Sequence, residues 1–217
     1  MMESVKDGNP AAISPADRAS DTVNIMIVGV GGQGTLLASR LLGRLFLNEG
    51  YDVKVSEVHG MSQRGGSVVT YVRYGSDVAS PLIEKGEADY ILSFELLEAA
   101  RWLPYLKKDG QLITNTQKIN PMPVITGAAA YPDQLVTKMR AAGAAVDAMD
   151  CLSLAEQAGS ARCVNIVLVG RLSRYFDFPE EAWLAALDAV VPEKFREMNR
   201  KAFALGREYE EPVTPEK

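Results

Sequence analysis

Thiols and imidazoles are scarce in this 217-residue chain, which holds two cysteines, Cys151 and Cys163, and one histidine, His59. An iron–sulfur cluster takes four thiolates, and a structural zinc site takes four ligands, mostly Cys or His. The chain is therefore not expected to hold its own redox metal. Two cysteines build no disulfide framework, so a cytoplasmic location is expected, with both residues read as buried hydrophobes rather than a redox pair. No stretch offers the roughly 20 continuous apolar residues of a membrane span. The longest nearly uncharged run, Val23 to Ser39, is broken by glycines and a glutamine. No apolar signal-peptide core is visible near the N-terminus. A net charge of −5 without any Lys/Arg block gives no electrostatic footprint for nucleic acid.

What is present is an ordinary globular composition, 47% apolar and 24% charged, of a length that suits one domain. Residues 1–21 are polar and interrupted by Pro10 and Pro15, and read as a flexible tail. The end from Glu211, with Pro212 and Pro215, reads as frayed, leaving a single domain over 22–210. Within it, strands are expected at 23–28, 53–58, 67–74, 88–93, 111–115 and 145–149, from short β-branched and apolar runs. Helices are expected at 35–47, 95–105, 133–142 and 163–175, with turns at 48–50 and 108–110. Ile119–Tyr131, with Pro121 and Pro123, reads as a loop or edge hairpin. Asp177 and Pro179 mark a helix start. Phe195, Met198, Ala202, Leu205 and Tyr209 form an apolar seam on a charged C-terminal helix, expected to dock on the chain itself. Strands alternating with helices imply a Rossmann-like α/β fold, a mostly parallel sheet with helices on both faces.

Two segments concentrate chemistry. Gly29-Val30-Gly31-Gly32-Gln33-Gly34 fits G-x-G-x-x-G between a strand and a helix, where backbone N–H groups can meet an anion. A phosphate-binding turn and a turn kept for close packing both remain open. Glu57 stands near the offset of a ribose-binding acid. The loop His59-Gly60-Met61-Ser62-Gln63-Arg64-Gly65-Gly66-Ser67 carries the only histidine, an arginine suited to carboxylate or phosphate, and tandem glycines. It is read as a binding or interface loop, with Arg64 as the anion or partner contact. The bland alternative is a structural loop whose Arg64 pairs with a nearby carboxylate. His59 has no visible nucleophile or orienting partner, so no catalytic residue is assigned. Asn115 and Thr116 end a strand at the edge where open sheets bind ligands.

The segments NIMIVGVGGQGTLLASRLLG, VSEVHGMSQRGGSVVTYVRYG, PLIEKGEADYILSFELLEAARWLPYLKKDGQLITNT and CVNIVLVGRLSRY resemble the γ-type subunits of 2-oxoacid:ferredoxin oxidoreductases. They are most similar to the small (β) subunits of indolepyruvate ferredoxin oxidoreductases, over about residues 22–210. The resemblance implies one non-redox part of a heteromeric enzyme that oxidatively decarboxylates an aryl 2-oxoacid to an acyl-CoA. Thiamine diphosphate and the [4Fe–4S] clusters would sit in a large partner subunit, which passes electrons to ferredoxin. No GDG…NN thiamine-diphosphate pattern occurs here. It also implies a contact with coenzyme A near Gly29, Gly31, Gly32, Gln33 and Gly34 and the 59–67 loop. Three other readings compete: a free-standing NAD(P)- or FAD-dependent dehydrogenase using the same turn, an adenylating enzyme of the ubiquitin-activating kind, and a scaffold without ligand.

Overall fold

The computed structural model describes residues 22–59 and 66–211; the expected tails at 1–21 and 212–217, and loop residues Gly60–Gly65, lie outside the described residues. The chain opens with β1 (Val23–Val30), α1 (Thr35–Asn48), β2 (Asp52–His59), β3 (Ser67–Gly75) and β4 (Ala88–Ser93). It continues through α2 (Leu96–Trp102), β5 (Leu106–Asn115), α3 (Met122–Ile125), α4 (Leu135–Ala141) and β6 (Ala145–Met149). Four helices close it: α5 (Cys151–Ala158), α6 (Val164–Leu172), α7 (Glu180–Val190) and α8 (Arg196–Glu208).

The strands form one sheet in the order β2-β3-β1-β4-β5-β6. β4, β5 and β6 continue parallel from β1, whereas β3 runs antiparallel to both β1 and β2. The fold is thus mostly parallel with one reversed strand inserted between β1 and β2. Successive residues alternate between the faces, as a strand requires. Ile25, Ile27, Val72, Tyr74, Leu92 and Ile113 meet α1 and α5–α8, while Met26, Val28, Val69, Tyr71, Ile91 and Leu112 meet α2 and α4. Each of these buried side chains contributes roughly 1.5–3 kcal/mol relative to exposure.

The first helical layer is thicker. α6 is mostly apolar, with Ile166, Val167, Leu168, Val169 and Leu172 buried, because α8 covers the side that the sheet does not. Gly170 and Gly206 let the two backbones touch: a Cβ on Gly206 would lie 1.9 Å from the Val167 carbonyl oxygen, and one on Gly170 would lie 2.1 Å from that of Phe203. The expected C-terminal seam docks on the chain itself, with Ala202 in the core and Met198, Leu205 and Tyr209 half-buried against it. The buried residues are Asn199, Ala202, Phe203 and Gly206, while Phe195 remains exposed.

Other expectations need correction. Asp177 does not cap α7; Pro179 occupies the cap position with no side-chain bond, and Glu180 and Glu181 supply the first-turn acids instead. Of the two readings of Ile119–Tyr131, the hairpin fails and the loop holds, with the one-turn helix α3 within it. The expected turn at 108–110 is a bulge within β5, whose pairing jumps from Ala88↔Leu106 to Tyr90↔Gln111. There Gly110 is needed, since a Cβ would sit 2.8 Å from the Ala88 carbonyl. Glu211, expected to fray, is tied to Arg140 at 3.0 Å. Among the described residues no helix is long and apolar enough to cross a membrane.

Candidate functional site

The carboxyl ends of β1, β4 and β5 bring the glycine turn, the start of β3 and the start of α2 to one edge of the sheet. The turn is organised by its own glutamine. Gln33 Oε1 accepts the Val30 N–H at 2.7 Å, and Gln33 Nε2 donates to the Phe94 carbonyl at 3.0 Å. Gly29 makes room for this fold-back, since a Cβ there would lie 2.8 Å from Gln33 Oε1 and 2.9 Å from Phe94 Cβ. Gly32 (φ +102°) and Gly34 (φ +84°) hold left-handed backbone that only glycine adopts readily. A Cβ on Gly34 would also strike Asn165, whose Nδ2 donates to the Gly34 carbonyl at 3.3 Å. Gly31 donates its N–H to the Gly66 carbonyl at 3.0 Å, which joins the turn to the end of the 59–67 loop. Most of the glycine pattern is therefore explained by packing and backbone conformation. The start of α1 nonetheless has no side-chain cap and no acidic residue in its first turn, so its leading N–H groups favour an anion.

Beside the turn lies a cleft of about 210 Å³, bordered by Val30, Gly66, Ser67, Glu95, Glu98 and Ile119 among others. Its two carboxylates are buried and fully engaged. Glu95, 1% exposed, caps α2 by accepting the Glu98 N–H at 2.9 Å, and it also accepts the Ile119 N–H at 3.0 Å and the Tyr131 hydroxyl at 2.6 Å. Burial first, and then this bond to Glu95, pushes the Tyr131 phenol well above its usual range. Glu98 accepts the Ser67 hydroxyl, Arg101 Nε at 3.0 Å and Trp102 Nε1 at 3.3 Å. Ser67, the last residue of the loop, is thereby anchored to α2. Sequence reasoning missed both glutamates. Their signal was present in Glu95-Leu96-Leu97-Glu98, an acid at the cap with a glutamate three residues on.

The remaining expected residues divide. The side chain of His59 and residues Gly60, Met61, Ser62, Gln63, Arg64 and Gly65 lie outside the described residues. Glu57 does not stand beside the turn: β3 separates its strand from β1 by two strand spacings, about 10 Å. Its Oε1 accepts the Ser39 hydroxyl at 3.3 Å. The dehydrogenase alternative, which needed Glu57 as the ribose acid next to the turn, loses its geometry. Asn115 is a bracket rather than a ligand group, fully buried, donating to the Phe94 carbonyl and accepting from Gln117 N and Cys151 N. Thr116 N donates to the Met149 carbonyl. Cys151 and Cys163 are both free and buried. Burial raises both thiols, and the nearby Asp150 and Asp147 charges raise Cys151 further. Among the described residues no cluster of three or more His, Cys, Asp or Glu stands ready for a metal.

Residues 24–209 match the model of the family described as pyruvate ferredoxin/flavodoxin oxidoreductase. The chain is 46% identical over 188 residues to the indolepyruvate oxidoreductase subunit IorB of Thermococcus kodakarensis, covering 84% of this chain and 93% of that protein. It is 45% identical over 189 residues to IorB of Pyrococcus horikoshii, with the same coverage of 84% and 93%. Among solved structures, the PORC subunit of pyruvate oxidoreductase from Thermotoga maritima shares the fold with a TM-score of 0.67. Its sequence identity is 21%, over 86% of this chain and 96% of that one. Family model, near-full-length relatives and shared fold agree, and the chain belongs to the pyruvate ferredoxin/flavodoxin oxidoreductase family.

Proposed function

We propose that this chain is the non-redox small subunit of a heteromeric aryl 2-oxoacid:ferredoxin oxidoreductase of the indolepyruvate type, located in the cytoplasm. The large partner subunit holds the thiamine diphosphate and the [4Fe–4S] clusters. The holoenzyme oxidises and decarboxylates the 2-oxoacid, joins the acyl group to coenzyme A and delivers the electrons to ferredoxin. The observation that carries this reading is the 46% identity extending through 93% of an indolepyruvate oxidoreductase subunit. The donor set of the chain agrees with it, since two cysteines fall short of the four thiolates that a cluster takes.

The chain's own part is positioning. The start of α1, without acidic side chains, suits a phosphate of coenzyme A. The Glu98–Ser67 anchor fixes one end of the 59–67 loop at the same sheet edge. From there Arg64 is assigned the contact with an anion or the large subunit, and Gly65 and Gly66 the close backbone approach.

Titration of the chain into separately purified large subunit, with indolepyruvate, coenzyme A and ferredoxin, tests the reading. Ferredoxin reduction is expected to rise and saturate at a fixed ratio of the two chains. A rate that stays flat through that titration rejects the assignment.

A further inference from the structure

On the opposite side of β3 from the glycine turn the sheet ends abruptly. β2 is an eight-residue edge strand, and among the described residues it pairs only with β3. α1 lies across β1, β3 and β2 and overhangs that edge. Its Leu36, Arg40, Gly43, Arg44 and Leu47 recur every three or four residues and so share one stripe. With Val55 and Glu57 of β2 and Val190 of α7 they border an open groove of about 600 Å³, in which the two arginines outnumber the single carboxylate. Its apolar members are exposed, Leu36 43%, Val55 44% and Leu47 56%. Arg40 and Arg44 are exposed too, and neither has an acidic partner among the described residues, although the chain as a whole carries −5. A helix stripe only partly covered by Val55, above an edge with unspent backbone donors and acceptors, leaves room for one more strand beside β2.

The geometry points to β-strand addition at β2 by an extended, acidic segment of the large partner subunit, a docking mode that rests on the subunit reading above. The spacing also defines the segment. Leu36 and Leu47 are 11 positions apart, about 16 Å along a helix, while inward side chains of a strand recur about every 6.7 Å. Three inward positions therefore span the stripe, and its chemistry reads apolar, acidic, apolar at alternate residues. The acidic one meets Arg40 and Arg44, and the outer two meet Leu36 and Leu47.

A second copy of this chain fits worse. Two β2 edges that pair antiparallel about a two-fold axis keep equivalent faces together, and centring that pairing on Val55 sets Val55 against its symmetry mate. A Cβ on Gly43 would lie 3.8 Å from Val55 Cγ2, so the middle of α1 sits over that axis. Arg40 and Arg44 from both copies would then crowd the same place, four like charges where the hetero-partner brings an acid.

The experiment measures the dissociation constant between the chain and the purified large subunit at 50 mM and 500 mM NaCl, with hydrogen exchange of residues 52–59 in the free and bound chain. Arg40→Glu/Arg44→Glu is expected to weaken binding at least about 30-fold at low salt, the scale of close interfacial charge pairs. Lys138→Glu, an exposed reversal on α4, is expected to leave binding unchanged, and wild-type binding is expected to weaken at high salt. The β2 amides are expected to gain protection on binding. Unchanged affinity of the double reversal together with unprotected β2 amides overturns strand addition while the subunit reading stands. No binding of wild-type chain overturns both. Protection of β2 in the isolated chain, with a dimer by light scattering, overturns it in favour of self-pairing.

Discussion

Gly206→Ala lowers the melting temperature of the isolated chain by about 5–10 °C. In most helices that substitution helps, because alanine is about 1 kcal/mol more favourable than glycine in a helix interior. Here the added Cβ meets backbone: 1.9 Å from the Val167 carbonyl oxygen, far inside the 3.4 Å at which ordinary contact begins. No rotamer relieves a clash with a peptide group, so α8 must move off α6. Phe203 and Ala202 then lose part of their packing on the buried helix. Overpacking of this kind costs about 1–3 kcal/mol or more. For a domain of this size each kcal/mol corresponds to about 2–4 °C. Gly43→Ala supplies the opposite sign, since its Cβ would find Val55 at an ordinary 3.8 Å in the middle of α1. It is expected to raise stability by about 0.5–1 kcal/mol. Thermal unfolding of the two variants side by side checks both, and Gly206→Ala at or above wild type would refute the close crossing.

Glu95→Ala is the second large effect, expected to cost about 3–5 kcal/mol in denaturant unfolding. Three donors converge on that buried carboxylate, from Glu98, Ile119 and Tyr131. Truncation strands all of them, at roughly 1–3 kcal/mol for each group that water does not reach. The damage is expected to be local first: the chain from Ile119 to Tyr131 is held to α2 by these bonds and has few buried side chains of its own. Hydrogen exchange should therefore show residues 116–131 opening well before the β1–β4–β5 core. Glu95→Gln keeps one acceptor oxygen and should fall between, and Tyr131→Phe, which removes one donor, should cost about 1 kcal/mol. Equal stability of Glu95→Ala and wild type would show that the carboxylate is not the fastening point.

Much of this fold was legible because its signals are local. The run 23–28 ending in glycine, followed by Leu37, Leu41 and Leu45 at helical spacing, fixes β1, the turn and α1 without reference to the rest of the chain. Strand order is not local. Nothing in Ser67–Tyr74 announces that it turns back between β1 and β2, and that insertion is what removes Glu57 from the turn. The α8 seam was placed correctly except at Phe195, whereas Phe203 and Gly206 were missed because they bury against a partner helix that periodicity alone does not identify. Asp177 was overvalued as a cap because Asp is a good cap only where its side chain reaches an N–H, and α7 starts behind Pro179 instead.

At the site, the glycine pattern was found, and close packing was one of the two meanings left open for it. Gly29 and Gly34 answer to Gln33, Phe94 and Asn165, contacts that join residues up to 131 positions apart. Glu95 and Glu98 escaped because acids at a helix start look like ordinary capping. Their burial, and the tie from Glu98 to Ser67, arise only when the first residue of β3 is brought to α2.

On the proposed function, this chain supplies no redox centre and works only as part of a larger assembly. The anaerobic visible spectrum of the chain purified free of large subunit, recorded with an assay of indolepyruvate-dependent dye reduction, tests it most directly. The account predicts a colourless protein, without the absorbance near ~400 nm of thiolate-ligated clusters, and no turnover. A cluster-like band, or oxidation of the 2-oxoacid by the chain alone, would contradict it.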